Sequence, residues 1–445
     1  MIQGFLNFVN WMWGVPMLIV LIGGGIAITV ACDFVQVKHL GASLKHAWNT
    51  AFHSKKGEGE IDGFQAVTAA LANTIGTGNI VGVGAAIAVG GPGAVFWMWV
   101  IGFIAMALKY SEATLAVATR YKGEDGRWKG GAPVYLAKVW KPLGVIWGIT
   151  MIYAMAIGCG AHTGSVGAGA AQFGVPTTVT TVIILIVVLM VAIGGVTFLV
   201  KITDKMVPFM AILYLAAGLI VIILNIGNLP SAIGSIFAGA FTGTAATGGF
   251  AGSTLSAVIR NGCARGVYSS DAGNGSASLM HAQADTNEPV EQGMMGVFEV
   301  FTDTIVICTF TALVILTTQT WMTGAEGSVL AVNGFEASLG VVGKVIGAVS
   351  LILFPLSSVL SITAGIGVIV HDIFDSKIVH YIAVALVAAV VFAGGTIGID
   401  AFLVWVDSGN LVAILAHIVG VLVMIPLLRK LTKEYFDKQK ESKTA

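Results

Sequence analysis

The fourteen residues Leu71–Gly84, LANTIGTGNIVGVG, lie inside a long apolar segment and cannot form an uninterrupted helix. Gly76, Gly78, Gly82 and Gly84 each favour helix less than alanine does, by about 1 kcal/mol. Asn73, Thr74, Thr77 and Asn79 would put polar groups at membrane depth. Hydrocarbon offers no partner to a freed backbone N–H or C=O, so a helix broken there must line a cavity or hold a ligand. A solute and an ion are the expected occupants.

Composition justifies placing this stretch in a bilayer. Of 445 residues, 56% are hydrophobic and 10% charged, against roughly 25% charge in a soluble domain. The expected class is an all-α integral membrane protein, surrounded by lipid and with no nucleic-acid partner. Cys32, Cys159, Cys263 and Cys308 are far apart and form no C-x-x-C, so they read as small packing residues. The eight histidines include no H-E-x-x-H, and no nucleophile–base pair appears, so no enzyme and no cofactor is expected. Met1–Asn10 lacks the positive stretch of a cleavable signal.

Eleven apolar spans of about 20 residues are expected: 12–32, 62–89, 94–119, 143–171, 177–199, 206–227, 254–284, 292–317, 342–370, 378–396 and 401–428. The connection 33–61 reads partly as an amphipathic surface helix, and 228–253 as an extracellular or re-entrant element. With alternating spans, nineteen of the 23 Lys and Arg fall on one side, including Lys38, Lys45, Lys55, Lys56, Lys201, Lys205 and the tail from Arg429 onward. The positive-inside rule makes that side cytoplasmic, with the N-terminus outside and the C-terminus inside.

The run Tyr268–Ser276 is a second interruption, again pairing Gly-x-Gly with polar neighbours. The two breaks lie five spans apart, so two five-span units must face opposite ways across the bilayer. Paired interrupted helices at equivalent places are the sequence mark of a secondary transporter with its site at the midplane. The expected division is an N-terminal helix and connector (1–61), a first repeat (62–227), a connector (228–253), a second repeat (254–428) and a cytoplasmic tail (429–445). Half-helix N-termini suit a carboxylate, and C-terminal ends suit an ammonium or Na⁺.

The run Gly90-Gly-Pro-Gly-Ala-Val-Phe-Trp-Met-Trp99, following Gly76-Thr-Gly-Asn79, resembles the signature of the alanine or glycine:cation symporter family, within the amino acid-polyamine-organocation superfamily. Ala264–Gly273 and Phe301-Thr-Asp-Thr304 resemble its later motifs, and the likeness runs from about 14 to 425. It implies the leucine-transporter-type fold, and coupling of Na⁺ entry (H⁺ in some members) to uptake of alanine or glycine in a prokaryotic plasma membrane. D-alanine and serine are further expected substrates.

The resemblance also implies roles. The Gly76 and Gly78 amides would take the substrate carboxylate, with Thr74, Thr77, Tyr268, Ser269, Asp271 and Gly273 bordering the substrate. Thr74 and Asn79 would hold one Na⁺, with Ser269, Thr302 and Asp303 nearby. Ala72 and Ile75 carbonyls, with Phe354, Ser357 and Ser358, would hold a second. On the opposite walls His162, Gly164 and Ile362 depart from the family pattern, so His162 and Ile362 are the candidates for tuning substrate choice. Asp271 is an intramembrane acid, expected to cap freed N–H groups or pair with Arg265, or else to meet the substrate ammonium. Lys109 and Glu112, at i and i+3, read as an internal ion pair. A proton-coupled permease of the same fold, and more distantly an ion channel, are the alternatives.

Overall fold

The computed structural model describes residues 2–52, 61–245, 247–397 and 400–444. Helices α1 (Ile2–Met12) and α2 (Val15–Ala31) open the chain. The connector forms α3 (Val35–Lys38) and α4 (Leu40–Phe52); Ala47 is buried and Trp48 exposed, as an amphipathic surface helix requires. Lys55 and Lys56 lie outside the described residues.

Helix α5 (Gly63–Thr74) starts at a reciprocal cap. The Asp62 carboxylate accepts the Gln65 N–H at 2.8 Å, and Gln65 Oε1 accepts the Asp62 N–H at 3.2 Å. The helix stops at Ile75 (ψ 85), restarts through a wide turn at Gly78–Gly82, and continues as α6 (Val83–Gly90), the two halves bent by 51°. Then come α7 (Ala94–Thr119), a short hairpin pairing Tyr121–Lys122 with Trp128–Lys129, α8 (Ala132–Val139) and α9 (Lys141–Ala171).

The stretch α10 (Thr177–Leu224) is two helices meeting at Gly195 (φ 61, ψ −156), a left-handed conformation that glycine adopts freely. The expected loop after residue 199 is thus absent. The chain turns four residues earlier, and Lys201 and Lys205 ride on the second helix. The connector 228–253 contains α11 (Leu229–Thr242), whose 14 residues are too few to cross a bilayer.

The second interrupted span is α12 (Leu255–Ser270), an irregular run with left-handed Asp271, Gly273 and Gly275, and the single turn α13 (Ser278–His281). Helices α14 (Pro289–Val300) and α15 (Cys308–Thr317) flank a wide turn at Phe301–Ile307. The stretch α16 (Leu330–Ile373) is again two helices, meeting at Gly340 (φ 61). Helices α17 (Lys377–Ile397), α18 (Asp400–Val423) and α19 (Ile425–Thr444) complete the chain. The tail, expected to be solvated throughout, is helical and partly docked, its Thr432 hydroxyl 2.7 Å from the buried Tyr110 Oη.

Among the described residues, seven helices are long and apolar enough to cross a membrane, or eight with α5 and α6 taken as one bent span. Helix α2 is shorter than that criterion, the second break cuts α12 short, and α10 carries two expected spans in one stretch. In α7, 72% of the most apolar window is buried, against 28% in α10 and α17. Helices α10 and α17 therefore form the lipid-facing periphery, and α7 belongs to the interior that carries the breaks.

Candidate functional site

At the first break the Ile75 N–H still reaches the Leu71 carbonyl, at 2.7 Å. The next amide, that of Gly76, donates instead to Asn79 Oδ1 at 2.9 Å. Asn79 Nδ2 then donates to Asp303 Oδ1 at 2.7 Å and faces Ser269 Oγ at 3.3 Å. Ser269 and Thr304 both donate to Asp303 Oδ2, at 2.9 and 2.8 Å. Cys308 Sγ closes the cluster 3.1 Å from Ser269 Oγ. Asn79, Ser269, Asp303 and Thr304 are fully buried. One carboxylate, two hydroxyls and an amide thus converge from three elements: the first break, the end of α12 and the wide turn after α14. Such oxygen-rich sets suit hard cations.

Helix α16 lays serine hydroxyls along the other side of the same break. Ser357 donates to the Phe354 carbonyl at 2.7 Å and to the Ile75 carbonyl at 3.3 Å. Ser358 donates to the Asn73 carbonyl at 3.1 Å, and Ser361 to the Ala69 carbonyl at 2.8 Å. The carbonyls that α5 loses to the break are therefore met by hydroxyls, the ordinary repair for interrupted membrane helices. The serine pair thus meets the Ile75 and Asn73 carbonyls.

At the second break α12 ends on Asp271, left-handed at φ 47. Its carboxylate takes the Asn73 amide of the first break at 2.7 Å, and also the Asn274 amide and the Ser276 hydroxyl. Asp271 thus ties the two breaks together through the side chains of Asn73, Asn274 and Ser276 rather than by the expected capping of freed backbone N–H groups; the structure contains no Arg265–Asp271 pair among the described residues. The expected Lys109–Glu112 pair is also replaced. Lys109 Nζ lies 3.4 Å from Glu299 Oε1, and Glu112 Oε1 accepts the Gly273 N–H at 2.7 Å. Both reach across to another element because the broken backbone offers groups that their own helix does not.

A cavity of about 410 Å³ opens from the breaks, lined by Thr74, Gly76, Gly78, His162, Tyr268, Asp271 and Ile362, and runs out to Trp13, Arg260, Arg265 and Asp407. Thr77 Oγ1 sits 2.9 Å from His162 Nδ1 and 3.3 Å from Ser165 Oγ. Polar contacts cross the opposite end of the bundle, beside a second cavity of about 750 Å³ lined by Arg127, Trp128, Thr363, His371 and Asp375. Arg120 donates to the Ala282 and Ala284 carbonyls at 2.7 and 2.5 Å, and Lys129 pairs with Asp375 at 2.9 Å. His371 sits 2.9 Å from Asp125. Lys129 holds the exposed Asp375 carboxyl below its usual range, and the His371 hydrogen bond does the same for Asp125. The Asp375 and Asp125 carboxylates are therefore ionised at neutral pH and take up protons only as pH falls through those lowered values.

The model of the sodium:alanine symporter family matches residues 1–445. The chain belongs to that family. The sodium/alanine symporter AgcS of Methanococcus maripaludis is 36% identical, covering 99% of this chain and 98% of its own. The Bacillus subtilis transporter YflA is 34% identical over 97% of this chain and 92% of its own. The crystal structure of MhsT in complex with L-phenylalanine is similar in fold, with a TM-score of 0.56 at 14% identity, covering 83% of this chain and 87% of that one. The symporter-family chain is accordingly a multi-pass membrane transporter of the leucine-transporter-type fold, an inverted repeat with two broken helices.

Most of the candidate residues of this symporter-family chain converge, and a few do not. Thr302 is half-buried and outside the cluster; Thr304, on the other side of Asp303, makes the contact. Sequence reading also missed Cys308 and the side chain of Asn73. It missed Ser361 too, which the helical spacing from Ser357 and Ser358 could have signalled. The Asp271 contacts support one prediction. Asp271→Asn replaces an acceptor with a group that must turn a donor toward Asn73, Asn274 or Ser276. Purified variant protein should lose thermal stability and at least tenfold of its transport rate, since each buried unpaired donor costs about 1–3 kcal/mol. Full transport and stability in that variant would refute the role of Asp271 as the tie between the two breaks.

Proposed function

We propose that this protein couples Na⁺ entry to uptake of a small neutral amino acid, alanine or glycine, by alternating access. The observation that carries the reading is the pairing of two oxygen-lined places on one break: Asn79 with Ser269 and Asp303, and the Ile75 and Phe354 carbonyls with Ser357 and Ser358. In this reading each place holds one Na⁺, which then replaces protein hydrogen bonds. Asn79 Oδ1 would leave Gly76 and turn to the ion, freeing the Gly76 amide for the substrate carboxylate. The substrate would lie between Gly76, Gly78, Tyr268 and Asp271, with His162 and Ile362 limiting its side chain. Similarity to a sodium/alanine symporter supports the choice of ion and solute.

The same reading divides the chain into a first repeat over 62–227 and a second over 254–428, with the lysine-rich side in the cytoplasm. The cavity running to Arg260 and Asp407 then faces outward, and the Lys129–Asp375 and His371–Asp125 ties cross the inner side. Apart from Na⁺ no cofactor is required.

The test is uptake of labelled alanine into proteoliposomes with an imposed Na⁺ or H⁺ gradient. A Na⁺ gradient should drive accumulation and a proton gradient alone should not; the reverse result would transfer the assignment to a proton-coupled permease. Asn79→Ala should raise the Na⁺ concentration for half-maximal uptake by about tenfold, the size of one lost contact to a charged group. An unchanged Na⁺ dependence would remove Asn79 from the ion site.

A further inference from the structure

The second break contains a cation of its own. Lys109 is fully buried in the middle of α7. Its Nζ donates to the Asp271 carbonyl at 3.2 Å and lies 3.4 Å from Glu299 Oε1. Helix α14 approaches closely here at Gly296, where a Cβ would lie 2.8 Å from the Lys109 carbonyl oxygen and 3.2 Å from Lys109 Cγ. Asp271 is the residue on which α12 ends, and the C-terminal end of a helix carries partial negative charge. One helical turn further along α7, Glu112 takes the Gly273 N–H. Behind the pair, His281 Nε2 sits 3.0 Å from Glu299 Oε2, and Gln292 Nε2 sits 2.7 Å from His281 Nδ1.

The first break is built alike with one difference. There too a carboxylate comes from the second span of the opposite repeat: Asp303 follows α14, as Glu112 lies on α7. Among the described residues, however, the side-chain partners of Asp303 are Asn79, Ser269 and Thr304, all neutral. A helix end and the Glu299 carboxylate beside one ammonium at the second break stand opposite a neutral cluster around one carboxylate at the first.

We propose that Lys109 is a positioning residue that acts as a tethered cation. It holds the unwound end of α12 permanently, as an ion would, so that coupling ions act at the first break alone. The inference rests on the Na⁺ reading above. A plain structural ion pair makes a different prediction: removing both charges together should restore what removing one destroys, because buried pairs can be replaced by neutral groups.

The experiment compares wild type, Lys109→Met and the double variant Lys109→Met with Glu299→Gln, each purified whole. Alanine uptake in proteoliposomes and the Na⁺-induced shift of the unfolding temperature without alanine are measured. The double variant is expected to fold and keep its Na⁺ shift, because the first break is intact. Its uptake should fall by about ten- to a hundredfold, the ratio that loss of one charged hydrogen bond corresponds to. Uptake restored to near wild type in the double variant overturns the proposal. So does loss of the Na⁺ shift together with uptake, or a double variant that no longer folds. A wild-type protein that ignores Na⁺ instead overturns the coupling reading itself.

Discussion

Replacing Asp303 by alanine is expected to abolish Na⁺-driven alanine uptake, with a loss of about a hundredfold or more. The carboxylate is fully buried and receives the Asn79 amide and the Ser269 and Thr304 hydroxyls. Its removal takes the acceptor from the Ser269 and Thr304 hydroxyls and leaves Asn79 Nδ2 with the Asp303 backbone carbonyl at 3.2 Å, at about 1–3 kcal/mol for each buried donor left unpaired, where 1.4 kcal/mol is a factor of ten. It also removes the only charge in the cluster that could compensate a desolvated Na⁺. Asp303→Asn should fail almost as badly, because its amide presents hydrogens to groups that are themselves donors. Thr302→Ala is the control. That side chain stands outside the cluster, and uptake should stay within about two- to threefold of wild type. The readouts are initial uptake rate against Na⁺ concentration and the Na⁺-induced shift in unfolding temperature. Normal half-maximal Na⁺ in Asp303→Ala would remove this cluster from the ion pathway.

The same cluster shows where sequence reading stops. The first break was legible because glycine, asparagine and threonine in an apolar run leave a helix few ways to continue. The second followed from its likeness to the first, and the odd spacing of five spans then made the two halves face opposite ways. Contacts within the site were harder. Thr302 and Thr304 flank Asp303 symmetrically in sequence. The wide turn Phe301–Ile307 departs from the 3.6-residue period, and this decides that Thr304 points inward. Lys109 and Glu112 look like partners because they are local. The groups they actually meet, Glu299 and the Gly273 N–H, lie far along the chain. The turn at Gly195 was hidden for the opposite reason. The apolar pattern runs straight through Gly195, so the neighbouring lysines drew the expected loop to the wrong place.

Gly78→Ala is the second large expected effect, and it tests whether the two breaks work through backbone contact. A Cβ at Gly78 would lie 2.9 Å from Ser269 Cα and 3.3 Å from Ser269 N, so backbone would have to yield. Any shift of Ser269 moves its hydroxyl from Asp303, 2.9 Å away, and separates the two halves of the site. Uptake should therefore fall by about a hundredfold, with overpacking of roughly 1–3 kcal/mol visible as a lower unfolding temperature. Gly82→Ala, one turn later in the same helix, is the matched control. Its nearest neighbour would be Tyr268 Cδ1 at 3.8 Å, and Gly82 already has helical angles (φ −63). That variant should transport within about twofold of wild type and gain up to about 1 kcal/mol of stability, as alanine replaces glycine in a helix. Gly76→Ala should fall between them. Its Cβ would meet the Ser358 hydroxyl, which can rotate away, and His162 Cε1 at 3.4 Å, which is ordinary contact. The expected order of damage is thus Gly78, Gly76, Gly82. Equal losses at all three would mean that these glycines serve only to loosen the helix; the graded order would show that closeness of the two backbones, at Gly78 and Ser269, is what the site depends on.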